Sequence, residues 1–451
     1  MNEPYLEYAD VFLPGQGETL MDSPAWHWIR TEEDVESSAK EGLSGSSESI
    51  MHSGSIVGHF YTSTSDPNRL LIHVTGTNYA QRAHNAQAQI TIDHTAHRYL
   101  DYDGFGVHLP GMIVTSTGTV IAVCQRRHNS LADAGHDTDI IGSFSSDNGK
   151  TWSRQQVVYG ESGNNTFLGP IVEDRITRTV FVALWNMPAE VISDLGYFGT
   201  YAEQGGGFWL VHTNDAGATW SSPRHVDPHP NFDGWIGWPN NSVHGIQLHA
   251  GPKNGRIVIP AFLYKADEAG QVPGVRGGLL YSDDHGETWT VGGVLPDGSD
   301  EVALIETPSG EIYASYRRNT RKTAGRTWAR SQDGGETFYE FGEHAELSGR
   351  AVHVGLAELT STCQETEDLF LFSHPTGSGR VIPGGAKMTI YASYDHGRTW
   401  PTAKLLDPRP CRYSDLAVAH DGTVLCLYTV GETRDREKII VGRFNREWLF
   451  T

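Results

Sequence analysis

Cysteine is scarce, with four in 451 residues. Cys124, Cys363, Cys411 and Cys426 follow no paired or metal-ligand spacing, so no disulfide framework is expected. No apolar run approaches the length of a membrane span. The opening MNEPYLEYADVFLPG lacks a basic region followed by an apolar core, so a secretory leader is not expected. A cytoplasmic location is the expectation, with secretion left open. Basic residues are in the minority, 34 Lys and Arg against 55 Asp and Glu, for a net charge of −21. That balance argues against a nucleic-acid or anionic-membrane partner. Any anionic ligand then has to be held by a local basic cluster, which a screening length of about 8 Å permits. Helical periodicity is weak along the whole chain, and no cofactor is expected.

What is present is organised around residues 281–318, YSDDHGETWTVGGVLPDGSDEVALIETPSGEIYASYRR. The segment opens with a turn unit, Ser282-x-Asp284-x-Gly286-x-Thr288-Trp289. Four more copies start at Ser145, Thr213, Ser331 and Ser393. The Asp side chain accepts hydrogen bonds from turn amides, Gly takes φ > 0 without steric cost, and the aromatic buries its ring between strands. From Asp147 to Asp215 is 68 residues, and from Asp215 to Asp284 is 69. Self-similarity at that period in an all-strand context predicts a radial array, with room for a four-stranded blade and a long loop per repeat. The boxes read as structural staples.

Residues 1–100 read as an extension, partly irregular, with a small β element at LLIHVT (70–75) and AQAQIT (86–91). Residues 101–451 read as an all-β propeller domain. Strand–turn–strand pairs recur at 111–127, 169–185, 245–262, 300–316 and 414–428, and 438–449 is expected to close the ring. Two segments, 188–207 and 229–245, are longer than ordinary hairpin loops, and long loops on a rigid scaffold carry binding. The second holds Trp235 and Trp238, read either as sugar-stacking platforms or as packing for the loop itself. His128, His136, Asp137 and Asp139 lack clean ligand spacing, so no metal site is expected.

Together the five boxes, GIQLHAGPKNGRIVIP, the Glu301 segment SDEVALIE, FSHPTGSGR and RYSDLAVAHDGTVLCLY resemble the sialidase (neuraminidase) family of glycoside hydrolases, from about Gly106 to Leu449. The resemblance implies a six-bladed propeller that releases terminal α-linked sialic acid or a related ulosonic acid with retention. Sialidases use a Tyr nucleophile in place of the usual second carboxylate. A neutral phenol avoids repulsion against the substrate's own carboxylate, and a neighbouring carboxylate takes its proton. By this resemblance Tyr413 is the nucleophile, Glu301 its partner and Asp133 the acid/base, with Asp137 a rival. Arg317 and Arg380 are carboxylate-binding arginines, with Lys387 the alternative to Arg380. Guanidinium matches carboxylate bidentately. Arg126 and Arg127 fit a further arginine near the acid/base loop.

The chain departs from the family at VHLPGMIV, where His108 stands in place of a carboxylate-binding arginine. Either a protonated imidazole serves there, or another arginine reaches the pocket, or the substrate is a variant acidic sugar. Sialylated or related acidic glycans are the expected partners. The alternatives are a non-catalytic propeller that binds acidic glycans and a propeller hydrolase or lyase for another anionic polysaccharide.

Overall fold

The computed structural model describes residues 3–12, 28–29, 58–62, 69–74, 89–93, 105–128, 137–189, 207–240, 243–265, 274–318, 325–349, 351–360, 368–376, 387–432 and 435–451. The chain divides into two units. One comprises residues 1–13, 107–127 and 133–451, and the other 14–106 and 128–132. The first thirteen residues therefore group with the propeller rather than with the expected extension. Strand β1 (Leu6–Phe12) runs antiparallel to a strand more than 400 residues later, pairing Leu6 with Phe444. No local signal in the sequence announces a partner that distant.

The second unit carries one four-stranded sheet of β2 (Trp28–Ile29), β3 (Gly58–Thr62), β4 (Arg69–Val74) and β5 (Gln89–Asp93). Its β2–β3 pair is parallel and the others antiparallel.

The first unit is built from successive antiparallel sheets. Strands β6 (Phe105–Val114), β7 (Val120–His128), β8 (Thr138–Ser145), β9 (Gln156–Gly160), β10 (Asn164–Asp174), β11 (Thr179–Pro188), β12 (Gly207–Thr213) and β13 (Arg224–Val226) form one eight-stranded sheet. Its halves meet through one parallel pair, Asn165 with Thr138. Next come β14 (Ile236–Pro239), β15 (Ile246–Gln247), β16 (Ile257–Tyr264), β17 (Arg276–Ser282) and β18 (Thr290–Val294). Strands β19 (Ser299–Glu306), β20 (Ile312–Arg318), β21 (Arg326–Ser331) and β22 (Glu340–His344) follow. The sheet of β23 (Gly355–Leu359), β24 (Leu369–Thr376), β25 (Lys387–Ser393) and β26 (Thr402–Asp407) comes next. The last sheet has β27 (Cys411–Val418), β28 (Val424–Val430) and β29 (Lys438–Phe444), completed by β1, and a short helix α1 (Arg446–Leu449) follows. The segment 229–245, expected as a long loop, supplies β14 instead.

Burial follows strand position. All seven residues of β28, VLCLYTV, are buried, because both faces of a middle strand meet neighbouring sheets. The edge strand β26 alternates exposed and covered positions before its buried end. Each large aliphatic or aromatic side chain taken fully out of water contributes roughly 1.5–3 kcal/mol. Cys124, Cys411 and Cys426 are buried, and Cys363 lies outside the described residues.

The five turn boxes do more than close hairpins. In the Ser282 box, Asp284 accepts from the Ser282 hydroxyl (2.8 Å), the Thr288 amide (2.9 Å) and the Thr288 hydroxyl (2.6 Å). These bonds hold two consecutive left-handed residues, His285 at φ 60° and Gly286 at φ 84°. The glycine then docks against the sheet before it. A Cβ on Gly286 would stand 2.9 Å from Phe181 of β11. Gly217 faces Ile121 of β7, Gly335 faces Leu279 of β17, and Gly397 faces Tyr313 of β20. Gly149, in the first box, faces Leu425 of β28 in the last sheet. The boxes thus fasten the first sheet to the last, the two halves of the eight-stranded sheet to each other, and the next three sheets each to its predecessor.

Candidate active site

The candidate residues sit where inner strands lose regular pairing. The β19–β20 register slips between Ser299 and Val302, and the β27–β28 register slips between Cys411 and Ser414. A bulge inserts an unpaired residue and re-aims side chains. Asp300 and Glu301 occupy the first bulge, and Arg412 and Tyr413 the second. Arg317 stands near the end of β20, beside the first.

These residues meet. Arg317 Nη1 donates to Glu301 Oε2 at 2.9 Å and to the Tyr413 hydroxyl at 3.4 Å. Its Nε lies 3.7 Å from Asp300 Oδ2. Glu301 is 2% exposed and Tyr413 5%. Burial, then the Glu301 charge, push the phenol pKa up, while Arg317 and Arg412 pull it down. The resting tyrosine is therefore neutral. Burial would lower the Arg317 pKa, but Glu301, Tyr413 and Asp300 outweigh it and hold the guanidinium firmly charged. Arg317 thus joins the phenol and the carboxylate, a cation placed between the two.

His108 lies against the same phenol, its ring edge-on to Tyr413 at a centroid distance of 4.5 Å. It is buried, and its Nδ1 finds no hydrogen-bond partner among the described residues. Burial first, then Arg127, Arg436 and Arg412, hold its pKa well below the ordinary value. In the resting protein this favours a neutral His108, which counts against the protonated imidazole, one of the alternatives for this position. The next residue, Leu109, is buried with φ 54°. A non-glycine residue in the left-handed region carries strain of order 1–3 kcal/mol, which structures keep where a side chain must be aimed.

The remaining candidates divide. Arg126 is committed to Asp139, at 2.7 Å from Nε to Oδ1 and 2.5 Å from Nη2 to Oδ2. Arg127 is buried and donates to Gln125 Oε1 at 2.8 Å. Trp238 is buried among Trp185 and Tyr264, with centroids at 6.2 and 5.0 Å, so its ring is core rather than an open platform. Trp235 is half-buried, with the Arg276 guanidinium 5.0 Å from its ring centroid. Asp133 and Arg380 lie outside the described residues. The rival Asp137 accepts from the Gly163 amide at 3.1 Å, a turn-anchoring bond. Lys387 is exposed at the start of β25. No group of three or more His, Cys, Asp or Glu suited to a metal ion occurs among the described residues.

Sequence reasoning missed three neighbours of this cluster. Arg412 reaches Tyr413 with its guanidinium carbon 5.2 Å from the ring centroid. His353 is fully buried 6.4 Å from the Tyr413 ring, its pKa pushed down to about 3 by burial and by Arg326. Arg326 is itself buried, donating to Ser315 Oγ (3.0 Å) and Val352 O (2.7 Å). Burial lowers its pKa to about 10 against the opposing pull of Glu301. The one signal in the sequence was the Arg-Tyr pair of RYSDL, and ordinary strand alternation points such neighbours to opposite faces.

The family model described as BNR repeat-like domain matches residues 133–426. A sialidase of Micromonospora viridifaciens is 28% identical over 376 residues, covering 77% of this chain and 53% of that protein. A sialidase of Bacteroides fragilis is 28% identical over 351 residues, covering 73% and 60%. The chain thus spans about half to three-fifths of these curated relatives. Among solved structures, the leech intramolecular trans-sialidase complexed with 2,7-anhydro-Neu5Ac superposes with a TM-score of 0.61 at 18% identity, covering 76% of this chain and 68% of that one. At that identity the likeness speaks for the fold.

Proposed function

The chain belongs to the BNR repeat-like domain family, with sialidases as its relatives, and from that premise we propose that it is a retaining exo-glycosidase releasing a terminal α-linked sialic acid or close relative. The observation that carries the reading is Arg317 hydrogen-bonded to both Glu301 and Tyr413, the last two buried at bulged inner strands.

Tyr413 Oη attacks the anomeric carbon as the bond to the leaving oxygen breaks. Glu301 accepts the phenol proton in the same step, so no free phenolate meets the substrate carboxylate. Asp133 donates a proton to the departing oxygen. A water then attacks the tyrosyl-linked sugar, Asp133 takes its proton, and Glu301 returns one to Tyr413. Arg317 holds the substrate carboxylate and balances Glu301. Arg380 joins it from the β24–β25 connection.

We read the propeller as six blades, counting the eight-stranded sheet as two. Its halves share one pair across Asn165 and Thr138, and each half carries its own turn box, starting at Ser145 and Thr213.

A panel of fluorogenic α-ketosides carrying sialic acid, its deaminated analogue and an octulosonic acid tests the activity. Wild type should cleave at least one, and Tyr413→Phe should not. Equal rates for the two proteins, or no cleavage by wild type, would sink the reading.

A further inference from the structure

The bulge that presents Glu301 is held by the sheet before it as well as by its own. Where the β19–β20 register slips, between Ser299 and Val302, three contacts come from the sheet of β14–β18. The Gly277 amide of β17 donates to Ser299 Oγ at 3.0 Å. The Asp300 carbonyl lies so close to Gly277 that a Cβ there would stand 2.3 Å from its oxygen. Asn240, the residue after β14, donates from Nδ2 to the same oxygen at 3.3 Å. That oxygen belongs to the peptide joining Asp300 to Glu301. A peptide is planar, so gripping its oxygen fixes the plane from which the Glu301 side chain departs.

Neither residue suits its place on packing grounds alone. Asn240 is fully buried, and its Oδ1 has no hydrogen-bond partner. A buried amide oxygen left unsatisfied is destabilising and calls for an explanation. Leucine would fill a similar space without that penalty, but it has no N–H to give. A carbonyl oxygen only accepts, so the group that Asn240 turns to Asp300 is its NH2. The Asn240 main chain is itself anchored, its amide donating to Pro260 O at 3.0 Å. Gly277 lies inside a strand and is not among the glycines with positive φ. Its missing side chain therefore serves the close approach of another backbone rather than a turn.

We propose that Asn240 and Gly277 are positioning residues for the proton acceptor, seating the Asp300–Glu301 peptide on the preceding sheet and so aiming the Glu301 carboxylate into the cluster with Arg317 and Tyr413. The inference rests on the glycosidase reading and names what sets the geometry of its proton transfer. Arg317 holds Glu301 by the side chain, and Asn240 holds it by the backbone. Loss of the backbone grip leaves Arg317 in place for the substrate but displaces the acceptor. Turnover should then fall while KM stays, the mark of a contribution made in the transition state.

Three variants test this on a ketoside that the wild type cleaves, with circular dichroism melts to check the fold. Asn240→Leu removes the donor at similar size and should lower kcat about tenfold to a hundredfold, the scale of a misplacement of about 1 Å, with KM within about threefold of wild type. Asn240→Asp keeps the shape and can donate only when protonated. Burial beside Asp300 and Glu301 favours that form, with Arg317 opposing it. Its kcat relative to wild type should therefore recover as pH falls from about 8 to about 5, a range above the ordinary carboxylate pKa, while the Asn240→Leu ratio stays flat. Gly277→Ala should lose at least as much as Asn240→Leu, because a backbone oxygen cannot swing aside. An Asn240→Leu kcat within about threefold of wild type overturns the inference and leaves the glycosidase reading standing. So does a KM that rises as far as kcat falls, or an Asn240→Asp no more active than Asn240→Leu at the acid end. A wild type that cleaves no ketoside removes both.

Discussion

The turn boxes and the bulged strands at Tyr413 use the same kinds of side chain to opposite ends. In a box, one carboxylate accepts three bonds from its own turn, as Asp215 does from Thr213 Oγ1, Thr219 N and Thr219 Oγ1. At the candidate site, buried polar atoms are left over, among them His108 Nδ1 and Arg317 Nε. Buried polar atoms without partners are rare and call for an explanation. In the boxes the carboxylate's bonds close on its own turn, although the Trp220 and Trp400 indole nitrogens stay without a partner, whereas at the bulged strands it is the imidazole and guanidinium nitrogens that stay open.

Four experiments break or sharpen that contrast. The largest effect is expected at Tyr413. Tyr413→Phe should lower kcat on the best ketoside by about 10³-fold or more with an unchanged melting temperature, and Glu301→Gln by about 10²–10⁴-fold. Either variant with near-wild-type turnover would show that the open capacity there is not catalytic. Asp133→Asn comes next. It should cost about 10²-fold on substrates with alkyl leaving groups and much less on activated phenols, because protonation helps a poor leaving group most. A larger effect from Asp137→Asn would move the role to that residue.

The boxes should behave oppositely. Asp284→Ala strips three bonds from one turn and should cost about 1–3 kcal/mol of stability, lowering Tm by a few degrees with kcat/KM unchanged. A loss of activity without a loss of stability would erase the distinction between the two regions. The smallest effect concerns acid. The Thr219 and Thr213 hydroxyls and the Thr219 amide hold the Asp215 carboxyl down at about 2, below its unfolded value of about 3.9. That contribution is present above about pH 4 and is lost as pH falls toward 2. Asp215→Asn should therefore lower stability slightly near neutrality and flatten its dependence on pH over that acid range.

The boxes were legible in the sequence because their chemistry is local, five residue types within eight positions. Glu301, Arg317 and Tyr413 were legible through the company they keep, and the structure brings them within bonding distance. The bulges were not, since register is a property of two strands together. Without the slip at 411–414, strand parity hides Arg412 on the wrong face. Trp238 misled for a related reason. Its turn-rich surroundings suggested a loop, yet Trp238 pairs with Phe262 in β14 and β16, and its ring is buried. Arg126 misled because its partner Asp139 sits directly across the β7–β8 pair and takes up its guanidinium.

The pairing of β1 with β29 carries one more consequence. The circle of sheets is clasped by backbone hydrogen bonds between positions more than 400 residues apart, not by peptide linkage. During synthesis the clasp stays open until β29 has left the ribosome, and the waiting edge of β1 or β28 is a template for a stray strand. Entropy opposes the late closure only gently, at about 0.6 kcal/mol for each doubling of the intervening length. A nick between β1 and β6 would accordingly sever the chain without unfastening the ring, and that seam is where the second unit is threaded into the sequence.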